Sequence, residues 1–337
     1  MTRRVLRNLG AFGLAVLLPG CGGGNASGPS PIPTVQPTQT VTVIAFLDEN
    51  ENGSFDLSEG TRIPNIEVVL GGVKARTTAS TGQATVQSPQ GTQTLEVTAS
   101  SLPPFYRPPA SRTITVSSNA PVMVPITLPR GSNRANVYMA FGDSITNGEP
   151  EVGDGDGYRR MLESMLRAHF GSAAVAREGF DGTQSDFGAA QIGSSLARVQ
   201  PSFTLILYGT NDWNDSACRQ LPCFTTSSLR AIVQQVNRFK SHAFLATITP
   251  SNTGFDNRAP ASRNDWIAAQ NALIKQVADD EGAVLVDLNA AFLKTGAPLS
   301  SLLVDHVHPS ATGYQIMAQT WFDAITHEYT KILAEYD

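Results

Sequence analysis

The sequence carries no surplus of positive charge: 24 Lys and Arg stand against 29 Asp and Glu, for a formal net charge of -5. A nucleic-acid partner needs a basic face to displace counterions from phosphate, so this balance argues against nucleic-acid binding. Long hydrophobic runs are also missing. The apolar run at 11–18 follows Arg3, Arg4 and Arg7, is too short to span a bilayer as a permanent helix, and reads as an export signal. Cysteine is scarce, with Cys21, Cys218 and Cys223 the three present. In an exported chain, the pair Cys218 and Cys223 fits a small loop-closing disulfide. Metal binding is the weaker alternative, because two thiols with no neighbouring histidine are half a zinc site. The 337 residues leave room for two domains with sizeable cores.

The signal ends in Leu18-Pro19-Gly20-Cys21, which resembles a bacterial lipoprotein lipobox, although Pro19 departs from the commonest pattern. The resemblance implies that Cys21 is diacylated, becomes the new N-terminus, and anchors the chain to a bacterial membrane, at the cell surface or in the periplasm. An ordinary cleaved signal that happens to contain a cysteine is the alternative. Gly22-Gly23-Gly24 and the Ser, Pro and Thr residues that follow cannot bury a core. Residues 1–20 are thus expected to be a lipoprotein signal peptide and 21–40 a flexible linker.

Residues 41–130 read as a β domain. Apolar or β-branched runs at 41–47, 66–70, 93–99, 112–116 and 122–128 are separated by Gly, Pro, Ser or Asn, the texture of a small sandwich. Between the first two lies an acidic loop with Asp48, Asn50, Asn52, Asp56 and Glu59 at positions one, three, five, nine and twelve and Gly53 at six. That is the ligand spacing of an EF-hand loop, with Ser54 offering its backbone carbonyl, and calcium is the natural guest. The flanking segments are strands, not helices. The stretch resembles the calcium-binding B-type repeats of bacterial surface adhesins, which implies an Ig-like or prealbumin-like sandwich holding a structural Ca2+. A solvated acidic turn is the bland alternative.

From 131 to 337 the texture changes. Strand-like runs at 136–141, 173–176, 203–208, 243–249 and 283–288 alternate with helical periodicity at 158–170, 185–199, 227–240, 261–280 and 311–333, predicting a parallel sheet covered on both faces. The first run ends in Gly142-Asp143-Ser144-Ile145-Thr146, placing a hydroxyl where a strand hands over to its loop. Gly179-Phe180-Asp181-Gly182-Thr183, Gly209-Thr210-Asn211-Asp212 and Asp305-His306-Val307-His308-Pro309 follow in order. These segments resemble the four blocks of the SGNH (GDSL) hydrolase family, which implies a flavodoxin-like doubly wound parallel sheet. Carried over by motif, Ser144 is the nucleophile, His308 its base and Asp305 the orienting carboxylate. The oxyanion donors are the backbone N–H groups of Ser144 and Gly182 and the Asn211 side chain. Physical reasoning agrees: a serine hydroxyl needs an imidazole to take its proton, the imidazole needs a carboxylate to fix its tautomer, and the tetrahedral oxygen needs preorganised donors. Glu178 stands where many members carry asparagine and Thr183 where aspartate is common, which bears on the choice of Gly182 over Gly179.

Other features read as structural. A metal site from Asp305, His306 and His308 is awkward in so short a turn. Gly193-Ser194-Ser195-Leu196-Ala197 echoes a lipase elbow but lies inside a helical pattern. Gly153-Asp154-Gly155-Asp156-Gly157 is acidic and lacks a preceding strand, so it reads as an active-site rim loop. His169, His242 and His327 read as surface or packing residues. The whole is expected to be an exported, lipid-anchored serine ester hydrolase needing no cofactor for chemistry. The expected substrates are acetyl or other short-acyl esters, those of carbohydrates among them, with lysophospholipase or thioesterase activity as the alternative within the family. From another class, a non-catalytic surface binding protein using its β domain is the rival.

Overall fold

A computed structural model describes residues 37–117, 120–148 and 155–326. The signal peptide, Cys21, most of the linker, part of the rim loop and His327 lie outside the described residues.

The β-branched runs of the N-terminal region form strands, as their propensity requires. They are β1 (Thr38–Leu47), β2 (Glu67–Leu70), β3 (Val73–Arg76), β4 (Gln83–Pro89), β5 (Gly91–Val97), β6 (Arg112–Val116) and β7 (Val122–Ile126). One sheet has the order β4-β1-β7, with β1 antiparallel to β4 and parallel to β7; the other is antiparallel, β3-β2-β5-β6. Their apolar faces meet over buried Val41, Val43, Leu47, Val68, Val86 and Val124. β3 and β4 are additions to the strands read from sequence. Gly71 and Gly72, both at positive φ, turn β2 back onto β3, so the turn chemistry masks the hairpin. β4 buries Ala84, Val86 and Ser88 on alternate positions, too weak an apolar signal to stand out.

From Arg134 strand and helix alternate. The elements are β8 (Arg134–Gly142), α1 (Ser144–Asn147), α2 (Arg159–Phe170), β9 (Ala174–Gly179), α3 (Ser185–Val199), β10 (Pro201–Leu207) and α4 (Phe224–Arg238). They continue as β11 (His242–Ala246), α5 (Ser262–Glu281), β12 (Val284–Val286), α6 (Leu288–Lys294), α7 (Leu299–Leu302) and α8 (Ala311–Thr326). The sheet order is β12-β11-β10-β8-β9 with every neighbouring pair parallel. This is the SGNH hydrolase fold, a flavodoxin-like order. All of β10 is buried, as a central strand covered on both faces must be. The connection order reverses between β8 and β10, and ligands bind beyond the carboxyl ends of strands at such a point. Ser144 follows β8 there and Asn211 follows β10.

The described residues, all of them from Pro37 onward, cluster as one compact unit. Phe105 and Tyr106, from the Pro-rich segment before β6, insert among aromatics of the α/β region. Phe105 stacks on His242 at 4.3 Å and meets Phe244 edge-on at 5.7 Å, while Tyr106 lies 6.2 Å from Phe203. Arg62 and Ser80 donate backbone N–H groups to the carbonyls of Phe170 and His169. One apolar cluster consequently runs from β1 to α8. Phe203 and His242 sit at the N-terminal ends of β10 and β11, whereas Ser144 lies beyond the C-terminal end of β8. The β region therefore docks on the end of the sheet away from the loop that carries Ser144.

Candidate active site

β8 must end in glycine. A Cβ at Gly142 would lie 2.2 Å from Thr146 Oγ1 and 2.3 Å from the Leu207 carbonyl, closer than any side chain tolerates. Asp143 then caps α1, its Oδ1 accepting from Ile145 N–H at 3.0 Å, which satisfies an orphan donor and sets Ser144 as the first helical residue. Ser144 Oγ is 2.9 Å from His308 Nε2, and His308 Nδ1 is 2.8 Å from Asp305 Oδ2. The other Asp305 oxygen accepts from the N–H groups of Val307 and His308, both at 2.7 Å. Partial burial opposes ionisation of Asp305, but the hydrogen bonds from the His308 ring and these two N–H groups outweigh it, and the carboxyl is held well below the usual range. The structure brings together the three side chains that the sequence motif implicates, from opposite ends of the domain.

Asn211 opens the loop after β10. Buried Asp212 locks that loop by accepting Ser185 N–H at 2.9 Å and the hydroxyls of Ser185 and Thr225, both at 2.6 Å. From α5, the guanidinium of buried Arg263 donates to the Thr210 carbonyl at 2.9 Å. Asn211 Nδ2 donates to the Thr183 carbonyl at 3.0 Å, which leaves its second amide hydrogen for another acceptor. Gly182, at φ +69 with nothing within 4 Å of an added Cβ, borders the same pocket of about 380 Å³ as Ser144, Asn211 and His308. Gly179 faces elsewhere, since its Cβ would lie 2.2 Å from Asn147 N. Of the two glycines in that motif, Gly182 is the one at the pocket.

Sequence reasoning missed Asp212, Ser185, Thr225 and Arg263 as supports of this loop. Asp212 adjoins Asn211 in the motif and was the one accessible signal; the others act across the fold. Glu178 accepts from Ser195 Oγ at 2.7 Å and pairs with Arg198, so it ties β9 to α3, and Ser195 lies inside that helix. His306 sits beside the chain of three rather than in it. Its Nδ1 is 3.8 Å from Asp305 Oδ2 and has no hydrogen-bond partner among the described residues. His169 and His242 are half-buried packing residues, and desolvation drops each imidazole to about 4. Cys218 and Cys223 are joined as a disulfide at the rim.

In the acidic loop, Asp48 accepts from the N–H groups of Asn52 and Gly53, and Glu59 from those of Glu49 and Asp56. Asn50 and Asn52 direct their Nδ2 atoms to Asp56 Oδ2 at 2.7 and 3.1 Å. Among the described residues, no three His, Cys, Asp or Glu side chains are placed to hold a metal ion.

Residues 140–316, more than half of the chain, match the GDSL-like Lipase/Acylhydrolase family. The multidomain esterase of Ruminococcus flavefaciens is 25% identical over an alignment of 243 positions that covers 58% of this chain and 29% of that protein. The chain thus spans well under half the length of that relative. Among solved structures, an acetylxylan esterase from Geobacillus stearothermophilus is similar at 22% identity and a TM-score of 0.48, covering 57% of this chain and 95% of the other. An alpha/beta hydrolase from the Lake Arreo metagenome is similar at 22% identity and a TM-score of 0.46, covering 58% and 96%. With Gly142, Asn211 and the segment from Asp305 to His308 all inside the matched span, the chain belongs to the GDSL-like Lipase/Acylhydrolase family.

Proposed function

We propose that the protein hydrolyses acetyl or other short-acyl esters, carried on carbohydrate, through an acyl-Ser144 intermediate. The observation that carries this reading is the unbroken hydrogen-bonded chain from Ser144 Oγ through His308 to Asp305. His308 Nε2 takes the hydroxyl proton as Oγ attacks the ester carbonyl, and Asp305 holds the ring tautomer and balances the imidazolium charge. The tetrahedral oxygen is met by the Asn211 amide and the Ser144 and Gly182 N–H groups. Collapse breaks the ester C–O bond, and His308 returns its proton to the leaving alcohol. Water, deprotonated by His308, then attacks the acyl carbonyl and releases the acid and Ser144. No step calls on a cofactor.

The pocket favours a small acyl group. Val307 is the one aliphatic side chain among the described residues lining it, and each buried methylene contributes about 0.8 kcal/mol only where apolar walls receive it. An ester panel from acetyl to about ten carbons tests this, run beside acetylated polysaccharide and lysophospholipid. Highest efficiency on acetyl supports the reading; a rise with chain length, or preference for lysophospholipid, defeats it. The lipobox-like Cys21 supports export and anchoring to a bacterial membrane.

For the acidic loop we propose one structural Ca2+ held by Asp48, Asn50, Asn52, Asp56 and Glu59 with the Ser54 carbonyl. The spacing supports it, as does the convergence of Asn50 and Asn52 on Asp56, where two amide hydrogens now sit against the carboxylate; rotating those amides turns oxygen toward the same point. The loop lies in the β region, away from Ser144, so the ion has no part in the ester chemistry.

A further inference from the structure

Two clefts continue the pocket of Ser144. The first, about 540 Å³, shares Gly182 and Asn211 with it and carries Asp186, Asp215 and exposed Phe187. The second, about 270 Å³, shares Asn214 with the first and is walled by Trp213, Arg219, Asn257 and Arg258. The chemistry changes sign along this path, from two carboxylates to two guanidinium groups.

Arg219 is held without an acid. Its Nε donates to the Trp213 carbonyl at 3.0 Å, and its guanidinium carbon lies 5.1 Å from the Trp213 ring centroid. Trp213 is backed edge-to-face by Trp266 at 5.6 Å, whose Nε1 donates to the Cys218 carbonyl at 2.8 Å. Cys218 is fixed in turn by its disulfide to Cys223. The planar group is therefore pre-positioned, with Nε spent and neither Nη atom in a hydrogen bond among the described residues. Among the described residues no carboxylate lies within ion-pair distance of it, whereas Arg258 is paired with Asp256 through Nε and Nη2 at 2.8 and 2.5 Å. Behind them, Arg263 is buried and held by the carbonyls of Arg258 and Thr210, at 3.1 and 2.9 Å. Three guanidinium groups thus gather against Asp256 and Asp305, and Asp305 is committed to His308. Two parallel N–H groups at the end of a fixed guanidinium match the two oxygens of a carboxylate. Asn214 and Asn257 flank them with amides suited to hydroxyls.

We propose that the cleft of Trp213, Arg219 and Arg258 is a carboxylate subsite, so that the preferred ester is carried on a carbohydrate containing uronic acid. The inference rests on the ester-hydrolase reading and deepens it by naming the leaving group. The acidic stretch at Asp186 and Asp215 confines the carboxylate to the far end, which makes the charged sugar a neighbour of the acylated one rather than the acylated ring itself.

Acetylated oligogalacturonate and its fully methyl-esterified counterpart, which differ by the methyl group that removes each charge, provide the test on the full-length chain, with release of acetate as the sole readout of turnover. The wild type should favour the free acid by about tenfold in kcat/KM, chiefly through KM, and added salt should shrink the ratio. Arg219→Ala should bring the ratio to about one and Arg219→Lys should restore part of it, a pattern that a purely structural role for Arg219 does not produce. Binding of unacetylated oligogalacturonate to Ser144→Ala, read by calorimetry against the methyl ester, tests the subsite without turnover. Equal handling of the two substrates by the wild type, or equal binding of the two oligosaccharides, overturns the subsite. Turnover of 4-nitrophenyl acetate by the wild type is read separately, and its absence strikes the ester-hydrolase reading instead.

Discussion

Asp143 offers a perturbation whose size follows from its surroundings. It is fully enclosed, and the cost of desolvating its charge raises the carboxyl to about 7 against an ordinary 3.8, more than the Ile145 N–H and the proximity of His308 pull it down. Oδ1 accepts from Ile145 N–H while Oδ2 has no hydrogen-bond partner among the described residues. The raised value fixes the sign. The folded state holds this proton up to neutral pH, whereas the unfolded chain releases it near pH 4. Each pH unit between the two values therefore costs folding about 1.4 kcal/mol as pH rises, and the cost levels off above the folded value. Integrated from pH 5 to pH 9, the wild type should lose about 2 to 3 kcal/mol of stability from this one group. Asp143→Asn keeps the acceptor for Ile145 and removes the charge; its extra amide hydrogens add a penalty that does not depend on pH. Urea unfolding of both proteins across this range isolates the titration of Asp143 and the groups coupled to it, because groups with no coupling to Asp143 cancel in the difference. The variant should gain on the wild type by about 2 to 3 kcal/mol toward pH 9. A difference that stays flat across the range refutes the reasoning, whatever its absolute value.

His308→Ala should abolish ester turnover, whereas His306→Ala should cost far less, because His306 Nδ1 is 3.8 Å from Asp305 and outside the chain of three; equal losses measured by steady-state kinetics would reverse the choice of base. Asn211→Ala should slow kcat by about a hundredfold or more, the typical worth of one oxyanion donor, and a KM effect alone would remove it from that role. Calorimetry on the full-length chain should show one Ca2+ bound and lost in Asp48→Ala, with chelation lowering the melting temperature while leaving the ester kinetics unchanged. Absence of binding heat removes the ion from the loop.

The grouping of Ser144, Asp305 and His308 was legible because its signals are local. Asp305 and His308 share one short segment, and Gly142 announces Ser144 from two residues away. The supports were not legible, because Arg263 reaches Thr210 and Asp212 reaches Thr225 across helices that the chain enters later. The parallel sheet came from alternation of strand and helix, a long-range pattern that composition preserves. The β region was read through aliphatic runs, which hid β4, where Thr and Gln fill the exposed positions. Its docking was hidden too. Phe105 and Tyr106 follow Pro103 and Pro104, a stretch with neither helical nor strand period, yet they carry the contact with His242, Phe244 and Phe203.

The central claim is that Ser144, activated by His308, carries the acyl group. Intact-mass measurement after treatment with an organofluorophosphate tests it most directly, followed by peptide mapping and the same treatment of Ser144→Ala. The account predicts one adduct per chain, on the peptide containing Ser144, formed in step with loss of ester hydrolysis and absent in the variant. An adduct on another residue, or ester hydrolysis retained in Ser144→Ala, would contradict it.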